Sequence, residues 1–333
     1  MNLDTMYMGI HLPHPMIVGA SPLSDDLDMV RQLEDNGAAA FVLRSLYEEE
    51  ITAEQMSGFF FSETHDDSSA EATSYSPDSI APPGPEEYLE HLRSVKQAVS
   101  VPVIASLNGC TPGGWVSYAR LMEEAGADAI ELHLYHTNSD AGANSADVES
   151  QLIQMVHDVK SGLRIPVAVK LSALFTSFAN FATRLDVAGA DALVLFTRFA
   201  KVDIDVIELE IVRRLDLSTS ADLDLRLRGV AVMAGRVNAS LAITGGVHTA
   251  LDVIKANMAG AHVTQLVSTL LRNGPAHLRA MRAGIEEWME ENEWHSLDEM
   301  RGNMSFQRIE NPALYERETF RRMFQHPSAS LLA

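Results

Sequence analysis

Four segments share one grammar: EDNGAAAFVLR (34–44), EEAGADAIELH (123–133), DVAGADALVLF (186–196) and NMAGAHVTQLV (257–267). In each, a helical segment ends at Gly, a small residue follows, and a short apolar run begins. Glycine suits the left-handed position that closes a helix, and the small residue after it lets the chain turn directly into a buried strand. Each copy therefore reads as a helix-to-strand junction. Four further apolar runs lie between them: MIVGAS (16–21), PVIASL (102–107), PVAVKL (166–171) and SLAITGG (240–246). Three of these stand close behind a Pro or Ser breaker, which gives eight strands in all.

Helical segments at Pro85–Ala98, Trp115–Glu124, Val148–Ser161 and Ala250–Met258 alternate with the strands, the order of a parallel sheet with right-handed crossovers. Eight such units predict an α/β protein, a (β/α)8 TIM barrel. A doubly wound open sheet is the competing architecture, but the Gly-x-Gly-x-x-Gly fingerprint expected after its first strand is missing. The barrel is expected over residues 1–305, with 306–333 a helical C-terminal tail that packs on the barrel or on a partner subunit. Three stretches exceed ordinary connections: 45–84 after the second strand, 134–147 after the fourth and 197–239 after the sixth. All three follow strand C-termini, the face where barrel enzymes place their chemistry.

Composition narrows the function. Of 333 residues, 46% are hydrophobic and 21% charged, which fits a folded chain with a large core. With 46 Asp+Glu against 25 Lys+Arg, the formal charge is −21, which disfavours nucleic acid and anionic membrane surfaces as partners but leaves room for a local anion pocket. The lone cysteine, Cys110, excludes an internal disulfide, a four-cysteine zinc site or an iron–sulfur cluster within one chain. No apolar run approaches the ~18 residues of a membrane span, and the first residues carry neither a basic n-region nor an apolar h-region. The expected location is the cytoplasm.

Polar residues gather where strand C-termini should be apolar if they only filled a core. They are Ser21, Arg44 with Ser45, Asn108, His133, Lys170, Thr197 with Arg198, Thr244-Gly245-Gly246 and Ser268-Thr269. In barrels, the loops after strands 7 and 8 frequently hold phosphate on converging backbone N–H groups. ITGGVHTALD has the required form, with two glycines and Thr249 as N-cap, and Ser268-Thr269 adds hydroxyls beside it. Period-two alternation in ADAIELHLY places Ala129, Glu131 and His133 on the inner face and Ile130, Leu132 and Leu134 on the outer one. An inward carboxylate needs a partner, and Lys170, two residues after Ala168 on the same face of the fifth strand, is the obvious neighbour. This reads equally as a core ion pair and as a cation held at the mouth. His136, just beyond the fourth strand, is suited to proton transfer. His133 and His136 lack a third ligand at metal-binding spacing, so no metal site is expected.

At this level of detail the chain resembles the dihydroorotate dehydrogenase family, particularly its soluble FMN-binding branch. The resemblance is carried by PMIVGASPLS (15–24), NGAAAFVLRS (36–45), PVIASLNG (102–109), WVSYARLMEEAGADAIEL (115–132), PVAVKL (166–171) and the long stretch from Ile243 to Pro275. It implies an FMN flavoprotein of pyrimidine biosynthesis with the isoalloxazine near strands 1, 2 and 5. Ala20 and Ser21 take the place of the family's pair beneath the flavin, Lys170 that of its flavin-contacting lysine, and Asn108 lies in the strand-3 loop. Arg44, Ser45 and Thr197 complete the cofactor set, while Thr244, Gly245, Gly246, Ser268 and Thr269 fall where the family cradles phosphate. His136 stands in place of the family's cysteine or serine base, and His133 in place of its first asparagine. Asn138 is retained, Arg44 replaces a lysine, and Phe196 aligns with the asparagine after strand 6. The implied activity is an oxidoreductase with catalytic residues His136 and Lys170 and substrate contacts at Arg44, His133 and Asn138. Its partners would be a small-molecule substrate and an electron acceptor, and the expected assembly is a homodimer. Two other readings stay open: a phosphate-binding barrel lyase or isomerase, and a flavin-binding module without turnover.

Overall fold

The computed structural model describes residues 1–52, 84–109, 115–134, 140–198, 201–214 and 216–316. An N-terminal antiparallel hairpin, β1 (Thr5–Tyr7) and β2 (Ile10–Leu12), precedes six strands: β3 (Met16–Val18), β4 (Phe41–Tyr47), β5 (Val103–Asn108), β6 (Ala129–Leu134), β7 (Val167–Leu171) and β8 (Ala192–Leu195). A second antiparallel hairpin, β9 (Lys201–Asp205) and β10 (Glu210–Arg214), follows, and then β11 (Ser240–Thr244) and β12 (Val263–Leu266). The barrel closes in the order β11-β12-β3-β4-β5-β6-β7-β8 with every pair parallel, so the eight expected strands form the expected (β/α)8 barrel.

The repeated glycine junction has one physical cause. Gly37, Gly126, Gly189 and Gly260 all have positive φ, from 94° to 123°. In each case the next N–H reaches back past the glycine into the helix: Ala38 to Leu33 O, Ala127 to Met122 O, Ala190 to Leu185 O and Ala261 to Ala256 O, at 2.9–3.1 Å. That bond satisfies an orphan carbonyl and turns the chain into the strand. Two copies add an aspartate. Asp128 accepts from Val103 N–H and Lys96 Nζ, and Asp191 accepts from Val167 N–H and Lys160 Nζ, all within 2.7 Å. Each carboxylate thus fixes the start of a neighbouring strand.

Side-chain alternation divides the core. Ile17, Val42, Ile104, Ala129, Ala168, Val194, Ala242 and Val263 fill the barrel interior, and Tyr7, Met8 and Leu12 of the first hairpin belong to the same cluster and plug the barrel's foot. Ile130, Leu132 and Leu134 point outward into the larger core beneath the helices, as the alternation in β6 requires. Small alanines at three interior positions leave room above them for polar residues.

The stretch 197–239 is more structured than its reading as a long loop: it holds the β9–β10 hairpin and the helix Asp224–Met233. C-terminal helices span His277–Glu291 and Leu297–Met300, and the second is anchored to the N-terminus by Leu297 N–H donating to Asn2 O at 3.1 Å. The first part of the tail docks on the barrel: Phe306 N–H donates to Ala231 O at 2.9 Å, and Arg236 lies 4.8 Å over the Phe306 ring. Among the described residues no helix is long and apolar enough to cross a membrane.

Candidate active site at the barrel mouth

A layer of charged and amide groups crosses the barrel above its apolar filling. Register puts His133 beside Lys170 and Ser106 beside Glu131. Lys170 Nζ donates to Glu131 Oε1 at 3.1 Å, and Gln265 Nε2 donates to Glu131 Oε2 at 2.5 Å. Both residues of the ion pair are buried, with side-chain exposures of 9% and 1%. A carboxylate only accepts, so the Gln265 amide nitrogen must face Glu131 and its Oε1 points elsewhere. That oxygen is buried with no hydrogen-bond partner among the described residues. Gln265 lines a cavity of about 430 Å³ at the mouth, and its unpaired acceptor is buried beside that cavity.

Above this layer His133 bridges two strands. Its Nδ1 lies 2.8 Å from Asn108 Nδ2 and its Nε2 lies 2.9 Å from Thr197 Oγ1. With the Asn108 amide nitrogen as donor, Nδ1 accepts and Nε2 carries the proton. Burial, reinforced by the Lys170 charge, pushes the imidazole down to about 3, so it is neutral at ordinary pH. Ser45 Oγ and Ser106 Oγ are 2.8 Å apart on the adjacent strands. The β4–β5 register shifts between Val42 and Ser45, a bulge of the kind that re-aims side chains beside barrel sites. Arg44 falls within it and meets Asp25 at 3.4 Å and Glu50 at 3.8 Å.

Two further histidines behave like His133. His14 and His262 each accept a backbone N–H at Nδ1, from Met16 and Leu241, and burial with a nearby arginine lowers both to about 4. An unfolded histidine takes its proton near pH 6.5, whereas these three resist it until about 3–4. Protonation therefore favours the unfolded chain throughout that window. Stability is expected to be full above pH ~6.5 and to fall on acidification by about 1.4 kcal/mol per pH unit for each group. Urea midpoints measured from pH 7 down to 4.5 read this directly. The His262→Gln variant, which takes no proton, is expected to flatten the slope, and a pH-independent midpoint would contradict the assignment.

The ends of β11 and β12 form the third part of the site. Gly245 and Gly246 have φ of 82° and 80°. Thr249 caps the next helix in a reciprocal capping box with Asp252, as the sequence predicts. The donors are shared differently from the simple cradle expected. Gly246 N–H donates to Ser218 Oγ at 3.3 Å, Ser218 N–H donates to Ser268 Oγ at 3.0 Å, and Ser218 Oγ lies 3.0 Å from His248 Nε2. Thr269 is fully buried and accepts from Asn273 Nδ2 at 3.3 Å, turned away from the cavity.

One cavity thus brings together Ala20, Ser21, Arg44, Ser45, His133, Lys170, Thr197, Thr244, Gly245 and Ser268. Asn108 reaches it only through His133, while Gly246 and Thr269 stand behind its wall. His136 and Asn138 lie outside the described residues. Phe196, buried and edge-on to Phe178, faces the outer core, so the residue that meets the mouth after β8 is Thr197. Gln265, Ser218 and Arg226 are not singled out from the sequence, whereas Arg198 is, beside Thr197. Gln265 has a signal, a polar side chain at an inward position of an apolar strand; Arg226 has none. Among the described residues no cluster of metal-ligating side chains occurs.

The cavity walls carry Arg44, Lys170 and Arg198 against one carboxylate, Asp216, in a chain of net charge −21, a local gathering of cations that leaves room for an anionic ligand. Fold and site together define a (β/α)8-barrel enzyme whose chemistry sits at the C-terminal mouth. The family model for dihydroorotate dehydrogenase matches residues 80–289, and the chain belongs to that family of flavin-dependent oxidoreductases acting on CH–CH bonds. It is 30% identical over 227 residues to the putative dihydroorotate dehydrogenase A (fumarate) of Aeropyrum pernix, covering 67% of this chain and 74% of that one. It is 25% identical over 306 residues to the dihydroorotate dehydrogenase B (NAD(+)) catalytic subunit of Thermoplasma acidophilum, covering 90% and 98%. The corresponding protein of Methanothermobacter thermautotrophicus is 26% identical over 313 residues.

Proposed function

We propose that this chain binds FMN and transfers hydride between a carbon of a small, pyrimidine-like substrate and flavin N5. The observation that carries the reading is one cavity lined by Gln265 with its unpaired amide oxygen, by the carboxylate-held ammonium of Lys170 and by Gly245 of the paired-glycine loop. These groups fit a flavin mononucleotide: an acceptor for a ring N–H, a cation for the pyrimidine edge, and a small, polar loop for the phosphate. Bound FMN would supply the two-electron chemistry, which no side chain here provides. Lys170, fixed by Glu131, holds positive charge where negative charge develops. Ala20 and Ser21 line the floor, Ser45, Thr197 and Asn108 with its His133 bridge shape the wall, and Thr244, Gly245 and Ser268 line the phosphate end, with Gly246 and Thr269 supporting it from behind. Arg44, His133 and Asn138 contact the substrate, and His136 takes or returns its proton.

The relatives' names specify different oxidants, fumarate in one and NAD(+) with a catalytic-subunit assembly in others. For this chain we propose a cytoplasmic homodimer that passes electrons to an acceptor outside the barrel. The first test is optical. Purified protein is expected to be yellow, or to take up added FMN one to one, and anaerobic dihydroorotate or another pyrimidine is expected to bleach it. Colourless protein that ignores FMN would favour a sugar-phosphate lyase or isomerase at the same glycines. The His136→Ala variant is expected to slow bleaching by about 10²–10⁴-fold with FMN affinity unchanged; a normal rate would remove His136 from the mechanism.

A further inference from the structure

Arg226 lies in the first turn of the helix Asp224–Met233, behind the Gly245–Gly246 loop, and is 6% exposed. Its guanidinium is committed to backbone carbonyls. Nε donates to Thr244 O, Nη1 to Asp222 O at 2.5 Å and Nη2 to Phe196 O at 3.0 Å. One side chain therefore ties the end of β11 to the end of β8 and to the segment leading into the helix. Three of its five N–H groups are used in this way, all on neutral carbonyl acceptors. Arg44 has Asp25 and Glu50, and Lys170 has Glu131. Among the described residues no carboxylate is in ion-pair contact with Arg226. The Asp222 carboxylate is engaged by Thr219 N–H at 2.8 Å, and Asp224 is exposed at the helix start. Both act on Arg226 only at longer range, against the effect of burial and of Arg198.

A guanidinium removed from water without a counter-ion is costly unless an anion comes close. The cavity lies on the other side of the loop. A Cβ added to Gly245 would stand 3.2 Å from Arg226 Nε and Nη2, so the guanidinium rests directly against the α-carbon of a residue that lines the cavity. The bond from Nε to the Thr244 carbonyl also polarises the Thr244–Gly245 peptide, whose N–H belongs to Gly245.

We propose that Arg226 is the buried counter-charge for the phosphoryl group held at Gly245, acting through the loop it braces, so that the site selects a phosphorylated ligand over its dephosphorylated counterpart. Arg226 is a positioning residue, not a direct ligand. The inference rests on the flavin reading for the identity of the ligand, but its charge logic applies to any phosphate monoester there.

The test compares FMN, riboflavin and inorganic phosphate on the full chain freed of flavin, by fluorescence quenching for the flavins and calorimetry for phosphate. FMN is expected to bind more tightly than riboflavin, and Arg226→Met is expected to reduce that preference by about tenfold or more while riboflavin affinity moves less than about threefold. Arg226→Lys, which keeps the charge, is expected to retain most of the preference. A phosphate monoester loses its second charge below about pH 6, so the wild-type preference is expected to shrink between pH 7 and 5. Equal losses for both flavins in Arg226→Met would make the residue merely structural and overturn the proposal. Should that variant fail to fold, a preference abolished in Arg226→Lys or unchanged with pH in the wild type overturns it equally. Phosphate binding that depends on Arg226 without any flavin binding would sink the cofactor reading and leave the counter-charge standing; a wild type that binds neither would sink both.

Discussion

Replacing Lys170 by methionine is expected to lower the unfolding free energy by about 3–5 kcal/mol and to slow flavin reduction by about two orders of magnitude or more. The two losses have different causes. Glu131 is 1% exposed, and with Lys170 gone its charge faces only the Gln265 amide, an uncompensated buried carboxylate. The rate loss follows from the proposed function, in which Lys170 is the cation at the pyrimidine edge of the flavin. Adding Glu131→Gln to the Lys170→Met variant separates them, because the double variant buries no lone charge. Its urea midpoint is expected to recover most of the way while flavin reduction stays slow. A double variant as unstable as the single one would mean that packing of the lysine stem, and not the carboxylate, sets the stability.

This pairing is legible in the sequence, and the reason is geometric. Alternation along β6 fixes which residues face inward, and parallel register then brings Lys170 next to that face. The same holds for the four glycine junctions, since a helix terminus is a local event written in adjacent residues. Two hairpins were not legible. The turn between β1 and β2 is Met8-Gly9, at φ 54° and 78°, and its glycine joins strands of only three residues each, too short to show an alternation; the turn between β9 and β10 passes through Leu209 at φ 56°, where a glycine or asparagine would have announced the reversal. The period-two pattern in KVDIDVIELEIVRR was present, but without a turn signal at its centre it reads as loop.

The site divides along the same line. Residues at strand ends were found because their position follows from the barrel. Arg226 was not, because its role depends on three carbonyls far apart in sequence, at 196, 222 and 244, that only the closed barrel gathers. Gln265 lies between these cases: its inward position was readable, but its orphan oxygen follows from Glu131 reaching it across the barrel. Ser218 is the opposite case. The glycines follow β11 as the sequence predicts, yet Gly246 N–H, one of the expected phosphate donors, is taken by a hydroxyl from the insertion after β8.

The paired glycines themselves are expected to respond unequally to alanine. At Gly246 a Cβ would lie 2.6 Å from Leu223 N and 2.8 Å from Asp222 C and Leu223 Cα, so the intruding atom meets main chain that cannot rotate away. At Gly245 it would meet only the Arg226 side chain, at 3.2 Å. Both positions have φ near 80°, where a left-handed conformation costs an L-residue roughly 1–2 kcal/mol. Gly245→Ala is expected to show little beyond that conformational cost. Gly246→Ala adds displacement of the segment that carries Asp222 and Leu223, and with it the carbonyl that Arg226 Nη1 grips. Its stability loss is expected to exceed that of Gly245→Ala by at least about 1–3 kcal/mol, the usual cost of forced overpacking. FMN affinity is expected to fall about a hundredfold at Gly246 and less at Gly245, because the first change displaces main chain that the brace grips, whereas the second presses only on the Arg226 side chain. Urea midpoints and flavin titrations on the two variants settle the order, and equal effects at both positions would mean that the close approach of the 222–223 backbone does not hold this loop in place.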